Sequence, residues 1–250
     1  MGYARPGQRL RGRMTMRHAR LIAFSAVAAL LATACDKGGN AGSSAIPAPK
    51  VDLAALRTKA EQGDLQAQVG LARACLSARG QAPDYKEAAH WSGAAATNGS
   101  LEAETILGEL YLAGQGVMHD PAAAILWLTR AAEGGWAPAQ YDLGYMFETG
   151  GGAAKNAATA AKWFLLAAQG GDALAQFNYG QRCLSGLSVK KDEVEGLKWL
   201  LLAQAQGQVD AANRVKVLLS SLPGPQIAEA KKRADAFTPR NLTKVANATP

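Results

Sequence analysis

Four tryptophans, Trp91, Trp127, Trp163 and Trp199, stand 36 residues apart in a chain that holds only five. The same period runs through Gly63, Gly99, Gly135, Gly171 and Gly207, and through Ala67, Ala103, Ala139, Ala175 and Ala211. It runs again through Ala95, Ala131, Ala167 and Ala203. A fixed period of this length marks a stack of supersecondary units, each unable to bury its apolar face without its neighbours. The function class is constrained with the fold. Stacked repeats present long binding surfaces and seldom build active sites.

The second copy shows the plan of one unit. Apolar residues at 103, 106, 107, 110 and 111 have helical spacing. Gly114 and Gly116 break that helix. Asp120 is placed to cap a second one, with Pro121 in its first turn. Ala124, Trp127, Leu128 and Ala131 form the second helix's apolar stripe, and Gly134-Gly135 ends it. The caps recur in register as Asp84, Asp120, Asn156 and Asp192. Glu87 and Glu195 follow theirs by three residues, the spacing of a capping box. Gly108, Gly144 and Gly180, with Ala72 in the first copy, are expected to let the two helices approach closely, each tryptophan filling the gap. By this reading the tryptophans are core, not a carbohydrate platform. Trp127 and Trp163, with neighbours on both sides, should be covered best.

This pattern resembles the Sel1-like repeat, a relative of the tetratricopeptide repeat. Asp142-Leu143-Gly144-Tyr145-Met146-Phe147, the Gly-x-Gly turns, and the closing Ala-Ala-x-x-Gly carry the resemblance over residues 56–220. Departures fall at Ala72, Ala78 and Ser188. The implied fold is all-α: a right-handed α/α solenoid of about four 36-residue helix-turn-helix repeats. A C-terminal capping helix is expected over 221–237, and a disordered tail over 238–250.

Function is then expected where the copies disagree. Just after the close-packing small residue stand Arg73, Glu109, Tyr145 and Gln181. In the tetratricopeptide repeat the corresponding position faces a concave groove. These four, joined by Tyr141 and Phe177 four residues earlier in their helices, are the candidate surface for a protein or peptide partner. Tyr141 and Phe177 also fit the family pattern as packing residues.

The N-terminus gives an address. Arg5, Arg9, Arg11, Arg13, Arg17 and Arg20 precede an apolar run from Leu21 to Ala34 and then Cys35. A positive segment, a short apolar segment and small residues form a secretory signal. The run is shorter than the roughly 20 residues of a membrane span. Leu31-Ala32-Thr33-Ala34-Cys35 resembles the lipobox of bacterial lipoproteins, which implies lipidation of Cys35 and a membrane anchor on the periplasmic side of the bacterial envelope. Residues 1–34 would be removed, and 35–55 would be a flexible linker, rich in Gly, Ser, Ala and Pro. Without the six arginines, 21 basic residues face 20 acidic ones. The formal charge of +7 therefore belongs to the signal and argues for no nucleic-acid partner.

No catalytic, cofactor or metal motif emerges. His90 and His119 lack companions at zinc-ligand spacing. Gly150-Gly151-Gly152 falls at a repeat turn. Cys75 and Cys183 lie three whole periods apart. With helices packing at about 8–10 Å, that separates them by roughly 30 Å, far beyond disulfide reach. Cysteine-rich relatives of this repeat are linked to β-lactam hydrolysis, but they pair cysteines within each repeat, and these two have no such mates. The expected role is a non-enzymatic, envelope-tethered adaptor. The alternative is a structural part of a cell-wall or polysaccharide-export assembly.

Overall fold

The computed structural model describes residues 53–77 and 82–240. Along them run the helices α1 (Leu53–Glu61), α2 (Leu65–Leu76), α3 (Tyr85–Thr97), α4 (Leu101–Ala113), α5 (Pro121–Glu133) and α6 (Ala137–Thr149). They continue with α7 (Ala157–Gln169), α8 (Ala173–Ser185), α9 (Glu193–Ala205), α10 (Val209–Ser221) and α11 (Gly224–Asp235). No strand occurs among the described residues. Pairs α2/α3, α4/α5, α6/α7 and α8/α9 are the repeats, and each second helix also packs on the next first helix. The architecture is an α/α solenoid.

The caps explain why the helices start where they do. Asp84, Asp120, Asn156 and Asp192 each accept backbone N–H bonds from the first turn of α3, α5, α7 and α9. Their own N–H groups donate to the carbonyls of Cys75, Tyr111, Phe147 and Cys183, at 3.0, 3.0, 2.8 and 2.9 Å. One residue therefore caps the second helix and ties it back to the first. This corrects the expected capping boxes, because the N–H that Glu87 or Glu195 would have accepted is already used. Those glutamates brace the ends of the stack. Glu87 pairs with Arg57 of α1, and Glu195 pairs with Lys198 and, at 3.6 Å, with Arg233 of α11.

The corners between repeats need positive φ. Gly63, Gly99, Gly135, Gly171 and Gly207 lie at φ between +83° and +92°, where any Cβ is strained. Gly116 is also at positive φ, and a Cβ there would lie 2.0 Å from the Tyr85 carbonyl oxygen. Ser188 occupies the same turn position in the fourth repeat and holds φ +59° without being glycine.

The core differs from expectation in one respect. The side chain over each small residue is the one after the tryptophan. A Cβ on Gly108 would meet Leu128 at 2.8 Å, and one on Gly144 would meet the Phe164 ring at 2.9 Å. On Gly180 it would meet Leu200 at 3.1 Å. Leu128, Phe164 and Leu200 are wholly buried. The first repeat has Ala72 and Ser92 at these two positions, both wholly buried, so a larger first-helix residue goes with a smaller partner. The tryptophans sit one step round the helix and join a repeat to its predecessor. Trp163, for example, packs against the cluster that holds Ala131 and Ala132 of the preceding repeat.

Their burial also reverses the expected order. Trp91 and Trp199 are buried, whereas Trp127 and Trp163 are half-buried. The end repeats have extra layers. Trp91 shares a cluster with Ala60 of α1. Phe237 packs edge-on against Trp199 at 5.4 Å, and Tyr179 does so at 6.0 Å. Trp127 carries the Arg130 guanidinium over its ring, 4.9 Å from the centroid.

Both ends extend further into order than the sequence suggests. Leu53, Ala54 and Ala55, expected in the linker, are part of α1, whose Leu56 and Ala60 pack against α2. One period separates the last residue of α1, Glu61, from Thr97, the last of α3, so α1 is the second half of an incomplete repeat. At the other end the terminal helix spans Gly224–Asp235 and packs on α9, with Ala230 buried among Leu197, Leu200 and Val215. Residues 238–240, expected in a disordered tail, are held down. The Arg240 N–H donates to Gln169 O at 2.9 Å, and its guanidinium donates to Gln169 Oε1 at 3.3 Å. Cys35, Ala78 and residues 241–250 lie outside the described residues.

Candidate functional site

The first helices share one face of the stack. α2 and α4 touch directly, and two ion pairs bridge neighbouring first helices: Arg73 of α2 to Glu102 of α4, and Arg182 of α8 to Glu148 of α6. Arg73, Glu109, Tyr145 and Gln181 fall at one position of α2, α4, α6 and α8. Each directly follows a wholly packed small residue, Ala72, Gly108, Gly144 or Gly180. That places them at the border of the packed stripe. Arg73 is exposed, and Glu109, Tyr145 and Gln181 are half-buried. The backbone of this position is therefore fixed by the core while its side chain reaches the surface, in four successive repeats.

Tyr141 and Phe177 belong to the packing. The Tyr141 ring lies 5.5 Å from the Phe164 ring. Phe177 packs into the cluster of Leu197 and Leu200. Both retain some exposure, so they form the floor of the face more than its contact points.

Arg182 is a residue the sequence reading passed over. It stands where the other repeats place Leu110 and Met146, both buried. Its side chain is only 4% exposed, with the guanidinium 5.1 Å over the Phe164 ring and one nitrogen, Nη1, without a hydrogen-bond partner. The available signal was a charged residue in an otherwise apolar register. A buried guanidinium held by Glu148 fixes α6 against α8, since removing one partner of such a pair leaves an uncompensated charge.

Cys75 and Cys183 are free. Burial, with nearby Glu87 or Glu195, pushes each thiol up to about 11, which keeps both protonated and unreactive at neutral pH. Burial likewise raises the Tyr179 hydroxyl to about 12. Among the described residues no group of three His, Cys, Asp or Glu is arranged to hold a metal ion. A shallow cavity of about 470 Å³ lies between α7, α9 and the tail, walled by Trp199, Phe237, Lys198 and Arg233. Its Lys198 and Arg233 already pair with Glu195. It is a seam of the C-terminal cap.

The Sel1 repeat model matches four consecutive segments, residues 65–100, 101–136, 137–172 and 173–208. Each starts at a first helix and ends just past a corner glycine. The fold is similar to that of c5321, a protective antigen present in uropathogenic Escherichia coli strains displaying an SLR fold. The two are 25% identical with a TM-score of 0.65, over 79% of this chain and 44% of that one. A Sel1 repeat protein from Oxalobacter formigenes is similar at 26% identity and a TM-score of 0.65, over 78% of this chain and 58% of the other. The chain thus spans about half the length of these solved relatives. No curated protein matches the sequence.

Proposed function

Because the chain belongs to the Sel1 repeat family, we propose that it is a protein-interaction adaptor whose first-helix face receives a segment of a partner protein, and that Cys35 tethers it to the bacterial envelope. Sel1 repeat proteins are generally protein-interaction adaptors. The observation that carries the reading is the variable position. Four different side chains, Arg73, Glu109, Tyr145 and Gln181, occupy one surface position beside invariantly small, packed residues. A merely solvated face has no need of an aromatic half-buried there. Glu109 and Tyr145 lie in the two central repeats, flanked by a repeat on either side, and are the residues on which recognition is expected to rest. Binding would follow one of the peptide modes open to a groove, an extended segment or an amphipathic helix.

The tether is supported by the Leu31–Cys35 segment and by the Gly-, Ser-, Ala- and Pro-rich residues 36–50 that follow it. The envelope address rests on the same residues.

Two variants test the two halves separately. Substituting Glu109 and Tyr145 together by alanine should leave the solenoid folded, as circular dichroism would show, while recovery of envelope partners falls. Undiminished recovery of the same partners would move recognition to another surface. Cys35→Ser should release the protein from the membrane fraction or leave it uncleaved. Wild type and variant fractionating alike as soluble protein would remove the tether and leave the adaptor reading standing.

A further inference from the structure

At one position the four first helices carry Gln68, Glu104, Gln140 and Gln176, all buried. The glutamines act alike. Each donates its side-chain N–H to a backbone carbonyl eight residues earlier: Gln68 to Ala60 at 3.1 Å, Gln140 to Ala132 at 3.0 Å and Gln176 to Ala168 at 3.3 Å. Each acceptor lies in the last turn of the preceding helix and also takes the N–H of the corner glycine, Gly63, Gly135 or Gly171. The side chain thus bolts a first helix to the helix before it.

The second repeat keeps the joint and changes the bolt. Ala96 O takes the Gly99 N–H in the same way, but the residue at the bolt position is Glu104. An ionised carboxylate only accepts hydrogen bonds, and a protonated one regains a donor. Glu104 Oε2 is buried with no hydrogen-bond partner. Its Oε1 accepts from Arg130 Nη2 of α5 at 2.9 Å.

We infer that Glu104 is a proton-operated bolt between α3 and α4. Protonated, it donates from Oε2 to Ala96 O as the glutamines of the other repeats do. Ionised, it loses that bond and is held by Arg130 alone.

The charged surroundings are few. Arg130 faces Glu104 from α5 and is itself half-exposed, so solvent weakens its pull. α3 carries Tyr85, Lys86, Glu87 and His90 in its first half, away from the Ala96 end. α2 contributes Arg73, engaged with Glu102. Glu102, Glu109 and Tyr111 on α4 itself, Cys75 on α2 and Glu133 at the end of α5 complete the set. Burial raises the Glu104 carboxyl above its ordinary range, with Arg130 opposing. A carboxyl raised in the folded state adds stability in acid, and that stability is lost as pH rises through the folded-state value. The joint between the first two repeats should therefore be tight in acid and looser at neutral pH.

The test compares wild type with Glu104→Gln, which keeps a donor at every pH. The two should melt together near about pH 4. Toward about pH 8 the variant should melt higher by about 2–4 °C, the shift that a single lost hydrogen bond produces in a domain of this size. Parallel melting curves across that range, or a variant that melts lower at neutral pH, would overturn the inference. A carbon-13 carboxyl titration of Glu104 in the wild type reads the group itself. A midpoint above the usual value of about 4.3 is expected, and one at or below it would equally overturn the bolt.

Discussion

Replacing Trp199 with alanine should cost more than the same change at Trp127 or Trp163, although the latter two lie in the middle of the stack. Trp199 is 2% exposed, walled by Tyr179 and Phe237, with the Lys198 ammonium 4.0 Å over its ring. Truncating a buried aromatic of this kind costs about 3–5 kcal/mol. The Trp199 indole N–H is buried without a partner, and removing that unmet donor returns part of the loss, so the lower end, about 3 kcal/mol, is expected. Trp127 and Trp163 already keep part of their surface in water. Less apolar area is therefore lost on truncation, and their loss should fall below that at Trp199. Phe237→Ala should uncover Trp199, and the two changes should couple by about 0.5–1.5 kcal/mol, the worth of an edge-on aromatic pair. Denaturant unfolding followed by far-ultraviolet circular dichroism gives the totals. Solenoids can lose an end repeat separately, so amide exchange in α9 should accompany it. A loss at Trp127 or Trp163 equal to or above that at Trp199 would refute the claim that the terminal layers decide tryptophan burial.

Other outcomes follow from single residues. Ser188→Gly should stabilise by about 0.5–1 kcal/mol, because φ +59° strains every residue but glycine; an unchanged midpoint in thermal melting would contradict this. Gly116→Ala should destabilise by at least about 2 kcal/mol through the same strain and the clash with Tyr85 O, again read by melting. Cys75 and Cys183 should react with a thiol reagent at pH near 8 only as fast as the protein opens, since their thiols ionise near pH 11. Rapid labelling of the folded protein would show that one of them is an accessible thiolate.

Much of the solenoid was legible because its information is periodic. The corner glycines, the caps Asp84, Asp120, Asn156 and Asp192, and the close-packed Gly108, Gly144 and Gly180 each repeat a local requirement of the backbone, so one copy explains the rest. What repetition hides is which of two adjacent apolar residues points at the glycine. Trp127 and Leu128 both recur in register, and a rotation of one residue along the helix decides between them. The ends were harder for a different reason. Phe237 and Arg240 act through Trp199 and Gln169, contacts of long sequence separation with no counterpart in the repeats. Of the candidate surface, Arg73, Glu109, Tyr145 and Gln181 share their position because period sets it, whereas the pairing of Arg73 with Glu102 depends on how neighbouring helices approach. Arg182 and Glu104 were visible as departures from Leu110 and Met146 and from the glutamines. Their meaning required the partners Glu148, Phe164 and Arg130.

Site-specific crosslinking compares the two faces of the stack within one protein. A photoreactive residue at position 145, on the first-helix face, is set against one at Leu126, which is 60% exposed on the second helix α5. Both chains should fold alike. The adaptor reading predicts a discrete protein adduct from position 145, lost on substituting Glu109, and none from position 126. Adducts of equal yield from both positions, or from 126 alone, would contradict recognition by the first-helix face.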